Sequence, residues 1–146
     1  MELKDSLQLK GVFHVDVIKA GTIIDSYTEN NMIVDLCRSN LARLLAGNPQ
    51  GSPVGKISFG TSGAAPEVTD TTITNAYTKN IDGYTFPEEG RVTFNWSLAT
   101  TEANGKSILE FGLLSQNGTL NARKVRVNPI NKESDISLQG TWTIIF

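Results

Sequence analysis

The chain holds one cysteine and one histidine. A single thiol, Cys37, makes no internal disulfide, and a single imidazole, His14, leaves most Cys/His zinc sites without their ligands. Charge is sparse and balanced, with 13 basic against 15 acidic residues, a net charge of −2 and a pI near 5.4. That balance removes the electrostatic drive toward nucleic acid and toward anionic membranes, so neither is expected as a partner. No apolar stretch approaches the roughly 20 residues that span a bilayer. The opening Met1-Glu2-Leu3-Lys4-Asp5-Ser6 lacks the apolar core of a secretory leader. The expectation is a soluble protein synthesised in a reducing cytoplasm. Phosphate-cradling patterns of the Gly-x-x-x-x-Gly-Lys-Ser/Thr and Gly-x-Gly-x-x-Gly kinds are missing. Gly60-Thr61-Ser62-Gly63 has the wrong spacing for a nucleophile elbow.

What is abundant is the chemistry of strands and turns. Ser, Thr, Asn and Gly make up about a third of the 146 residues, a composition that favours sheets over helical bundles. Phe13, Val15 and Val17 alternate with His14 and Asp16, and Lys19-Ala20-Gly21 closes a hairpin over residues 11–28. Ile33, Leu36, Cys37, Leu41, Leu44 and Leu45 recur at spacings of three and four and predict one amphipathic helix. Asn30 or Asn31 would cap it, Arg43 suits its C-terminal dipole, Gly47 falls at the left-handed C′ position and Pro49 ends it. Lys56–Gly60 reads as a short strand, and Thr61–Asn75 as a long polar loop of the kind that is usually functional or mobile, or here one pinned down by partner contacts. Tyr77–Phe86 and Val92–Leu98 flank the turn Pro87-Glu88-Glu89-Gly90. Ile108–Ser115 and Thr119–Val127 flank Gln116-Asn117-Gly118, a strong hairpin signal. The last strand places Ile136, Leu138, Trp142, Ile144 and Phe146 on one face. The predicted fold is a single mainly β domain over residues 1–146, an antiparallel β-sandwich of about eight strands. Its one amphipathic helix lies across an end or edge, and the hairpin of residues 1–29 is a candidate docking element.

The candidates for chemistry are few, and each has a simpler structural role. His14 falls on the polar face of its strand. Glu88-Glu89 lies in a turn and reads as a solvated pair. Glu110 interrupts an apolar strand, so Arg123 or Arg126 across the Asn117-Gly118 hairpin is its expected ion-pair partner. Cys37 falls in the apolar stripe without an electropositive neighbourhood and reads as a small hydrophobe. Arg123-Lys124-Val125-Arg126 is a small basic patch without interleaved aromatics, expected to face solvent or another subunit. Asn95-Trp96-Ser97 and Asn117-Gly118-Thr119 match the glycosylation sequon without an export signal. Trp96 and Trp142 sit on apolar strand faces and are expected in the core, which leaves Tyr27, Tyr77 and Tyr84 as exposed aromatics for sugar stacking. No catalytic residue, cofactor-binding residue or metal ligand is expected.

A longer pattern runs through the chain. Asn31-Met32-Ile33-Val34 leads to Leu44-Leu45-Ala46-Gly47, then Ile57-Ser58-Phe59-Gly60-Thr61, Ala65-Pro66 and Thr69-Asp70-Thr71. Gly90-Arg91-Val92-Thr93-Phe94-Asn95-Trp96, Glu102-Ala103-Asn104-Gly105 and Glu110-Phe111-Gly112-Leu113 follow. Asn117-Gly118-Thr119-Leu120, Ala122-Arg123, Lys132 and Trp142-Thr143-Ile144 complete the set. In this order, from Asn30 to Phe146, the sequence resembles a family of small tail-associated structural proteins of tailed bacteriophages and prophages. The resemblance implies a non-enzymatic virion component, made in the host cytoplasm, whose partners are other tail, baseplate or neck proteins and further copies of itself. A carbohydrate-binding module that attaches a tail fibre to host glycan is the alternative.

Overall fold

In the computed structural model, which describes residues 8–146, the alternating segments become strands. The Met1–Ser6 stretch that bears on the leader lies outside the described residues. Chain order is β1 (Lys10–Lys19), β2 (Thr22–Ile33), α1 (Asp35–Leu45), β3 (Val54–Gly60), β4 (Tyr77–Asn80) and β5 (Gly83–Thr85). It continues with β6 (Arg91–Leu98), β7 (Ser107–Ser115), β8 (Leu120–Asn131) and β9 (Ile136–Ile145). All pairings are antiparallel, in one continuous order β4-β3-β7-β8-β2-β1-β9-β6-β5. The sheet curls into two layers at β2. That strand pairs with β1 along its length, but with β8 only through Met32 and Ile33. The mainly β, sandwich-like architecture is as the alternation predicts.

Between the layers the inward residues form one aromatic core. Phe13 stacks on Trp96 at 5.6 Å and meets Phe111 at 4.6 Å and Trp142 at 5.0 Å, while Phe59 contacts both Trp96 and Phe111 edge-on. Offset and edge-to-face geometries are those that the ring quadrupoles favour. The strand alternation thus delivers Trp96 and Trp142 to the core, as expected.

Three local expectations are corrected. Asn30, Asn31 and Ile33 belong to β2, so neither asparagine caps the helix; the N-cap is Val34, with no side-chain cap bond. Asn31 instead accepts a hydrogen bond from the Trp142 indole N–H at 3.0 Å, satisfying a donor that would be costly to bury unpaired. The other end of α1 is as predicted, with Arg43 in the last turn and Gly47 at positive φ. Tyr77–Phe86 is two short strands rather than one, which makes nine strands among the described residues. The Ile81 N–H bonds Gly55 and the Asp82 N–H bonds Asn95, so the chain crosses there from one layer to the other. The hairpin of residues 11–28 extends over Lys10–Ile33, and β1 is a central strand paired with both β2 and β9.

Candidate functional site

Packing leaves an apolar groove beside the helix. Helix α1 lies against β8, anchored by Asn40, a polar residue that the stripe conceals. The Asn40 Nδ2 donates to the Ser52 carbonyl (2.8 Å) and to Ser115 Oγ (3.2 Å), and its Oδ1 accepts from the Ser52 N–H (2.9 Å). Of the predicted stripe, Cys37 is buried and Leu41 half-buried, while Leu44 is exposed and Leu45 is 91% exposed. Between α1 and the β5–β6 edge runs an apolar groove of about 310 Å³, lined by Cys37, Leu41 and Leu44 on the helix and by Tyr84, Phe94 and Phe146 among others. Phe86 (73% exposed) and Tyr84 (60%) stand at its mouth, their rings 5.6 Å apart edge-to-face. Exposed apolar surface of this kind makes the groove a candidate interaction site. Its one thiol is inert, since burial pushes Cys37 up to about 11 against the smaller opposing effect of Arg38.

The long loop is built differently from the expectation. Glu110, fully buried, points from β7 to the outer face of its layer and lies beneath residues 61–75. Its carboxylate accepts from the backbone N–H groups of Ser62 (2.5 Å) and Thr74 (3.4 Å), one at each end of the loop. Arg123 on β8 pairs with Glu110 at 3.3 Å and with Asp70, in mid-loop, at 2.9 Å. Ile73 presses on Gly60 and Gly112, where any Cβ would collide with it. The loop is therefore a strap fastened by its own sheet, and the partner contacts suggested for it are not needed to hold it. Arg123, not Arg126, is the partner of Glu110.

The other candidates also find partners within the chain. Lys124 pairs with Glu29 at 2.6 Å and Arg126 with Asp25 at 3.1 Å, so the basic patch makes intramolecular ion pairs. Both cations lie over the half-buried Tyr27 ring, at 5.5 and 5.0 Å, and the Tyr27 hydroxyl donates to Glu29. Tyr77 is half-buried too and donates to Glu102. Of the three tyrosines expected at the surface, only Tyr84 is freely exposed. His14 bridges Thr28 (2.6 Å) and Asp16 (3.0 Å), and Ser26 also donates to Asp16. This row lies on the outer face of β1 and β2, where β1 is tied into ladders on both sides and offers no spare N–H to steady an oxyanion. Glu88 pairs with Arg91 in its exposed turn, Asn95 is half-buried on β6, and Asn117 Oδ1 accepts from the Thr119 N–H within its turn. Among the described residues no group of three or more His, Cys, Asp or Glu is placed to hold a metal, and no helix is long and apolar enough to cross a membrane.

Fold and surface together define a two-layer antiparallel β protein with a strapped outer face and one open apolar groove. No family model, curated protein or solved structure matches the chain.

Proposed function

We propose that the chain is a non-enzymatic structural component of a bacteriophage virion, placed in the tail, baseplate or neck and acting through protein–protein contacts in several copies. The observation that carries this reading is the ordered set of residue words from Asn30 to Phe146. Support comes from where those words lie. Asp70, Glu110, Gly112 and Arg123 come from three separate words and meet in the strap. Asn104 and Lys132 meet in a second knot, where the Lys132 Nζ donates to Asn104 Oδ1 (2.7 Å) and to the carbonyls of Thr100 and Glu133. Within the words these residues are thus fasteners of a scaffold, as suits a family whose role is mechanical, while Leu44, Val92, Phe94, Leu113 and Ile144 line the groove. The open groove is the surface that such a scaffold presents to a neighbour.

The alternative, a fibre module that binds host glycan, draws on the exposed Tyr84–Phe86 pair, although edge-to-face rings make no flat platform for a sugar. Two observations separate the readings. An antibody against the chain should decorate a defined ring, collar or baseplate on intact particles, and the isolated protein should bind no sugar on a glycan array. Specific glycan binding that is lost in Tyr84→Ala would replace the assembly reading with the fibre module.

A further inference from the structure

We propose that Lys132 and Asn104 become joined covalently, in an amide cross-link that the folded chain makes from its own side chains. The inference is independent of the virion reading. Lys132 follows β8, and Asn104 lies in the connection between β6 and β7. The lysine is fully buried, a rare setting for an ammonium. Among the described residues it has no carboxylate within ion-pair distance. Its three acceptors are neutral oxygens: Asn104 Oδ1 at 2.7 Å and the carbonyls of Thr100 and Glu133. The Asn104 carboxamide is therefore the electrophile nearest the amine. Main-chain bonds hold the pair in place. The Gly105 N–H donates to the Lys132 carbonyl (2.8 Å), and the Lys132 N–H donates to the Lys106 carbonyl (2.9 Å). The Thr100 carbonyl accepts from both side-chain nitrogens, from Asn104 Nδ2 at 2.9 Å and from Lys132 Nζ at 3.3 Å. The nitrogen that attacks and the nitrogen that leaves thus meet on one acceptor. Fixed proximity of this kind replaces the encounter that amide exchange otherwise waits for.

The lysine attacks as the free amine. Burial lowers its pKa from the ordinary 10.5 and outweighs the opposite pull of Glu102, Glu133 and Asp135. The Nζ lone pair bonds to Asn104 Cγ, the Cγ–Nδ2 bond breaks, and one proton passes from Nζ to the departing nitrogen. Amine and carboxamide become a secondary amide and ammonia, with no oxidant, metal or second reactant. Asn104 is exposed, so the ammonia leaves into water. The product ties together residues 28 positions apart and restricts the unfolded chain as a disulfide would, in a chain whose one cysteine makes none.

The test is the intact mass of the full chain, denatured after purification and again after storage at alkaline pH, where more of the amine is free. Wild type should lie about 17 Da below the mass of its sequence, the weight of one ammonia. Trypsin should then release residues 92–106 joined to residues 127–146, because an acylated Lys132 is no longer a cleavage site. Lys132→Arg, which keeps the charge and the donors, should show the full sequence mass, and so should Asn104→Ala. A succinimide at Asn104-Gly105 or Asn117-Gly118 also loses ammonia, but it needs no lysine and yields no joined peptide. A wild-type chain at full sequence mass under both conditions overturns the proposal. So does a deficit that persists in Lys132→Arg, or a digest in which residues 92–106 and 127–132 are recovered only as separate peptides.

Discussion

Removing the Glu110 carboxylate is the sharpest perturbation that the strap allows. Glu110→Ala deletes the acceptor of two backbone N–H groups and one of the two carboxylates that Arg123 touches. Breaking a buried ion pair from one side costs about 3 to 5 kcal/mol. Here Asp70 still holds Arg123, and the strap is a surface segment into which water can enter, so the low end applies and the expected cost is about 3 kcal/mol. For a domain of this size that corresponds to a fall in melting temperature of roughly 10 °C. Glu110→Gln, which keeps one acceptor oxygen but loses the charge, should cost about half as much. Arg123→Met and the Glu110→Ala/Arg123→Met double variant complete a cycle, measured by urea unfolding, with an expected coupling of about 2 kcal/mol. Limited proteolysis gives a second readout, because freeing either end of the strap should open residues 61–75 to cleavage before global unfolding. Coupling below about 0.5 kcal/mol, or a strap as resistant as in the wild type, would refute the reasoning.

Two further expectations concern the core and the acid limb of stability. Trp96→Ala and Trp142→Ala should each cost about 3 to 5 kcal/mol, and urea midpoints equal to wild type would show that the rings do not hold the layers together. For Glu102, burial works to raise the carboxyl's pKa. Hydrogen bonds from Lys79, the Ala99 N–H and Tyr77 outweigh it and hold the group below its ordinary 4.5. A lowered folded value means that the unfolded chain binds the proton more readily. The contribution is therefore complete above about pH 4.5 and fades as pH falls through the lower folded value. The acid limb of the stability curve should be shallower in Glu102→Gln than in wild type, and equal slopes would contradict the role given to this cluster.

What was legible in the sequence follows the range of the interaction that decides each element. Strands with strict alternation, such as Phe13-His14-Val15-Asp16-Val17 and Val92–Leu98, declare their buried face locally, and the Asn117-Gly118 turn declares its hairpin. The ends of α1 show both outcomes. Gly47 stops the helix by its own backbone geometry, whereas Asn30, Asn31 and Ile33 imitate a cap and first turn. Pairing of Asn30 and Asn31 with β1 and of Ile33 with β8, with the Trp142 indole on Asn31, claims them for β2. The Glu110–Arg123 pair was within reach because a hairpin brings the two strands together, but its third member, Asp70, and the two N–H donors arrive from a loop with no periodicity. The groove was hidden for the opposite reason. The helical stripe reads as core throughout, and only the placement of α1 on β8 leaves Leu44 and Leu45 outside.

Quantitative mass spectrometry of purified virions, taken from a lysate of the host in which this gene is expressed, tests the proposed role most directly. A structural component of the tail, baseplate or neck should be present in intact particles at several copies each and survive washing and density banding. A chain abundant in infected cells yet absent from banded virions would contradict that role and make it a cytoplasmic assembly factor instead.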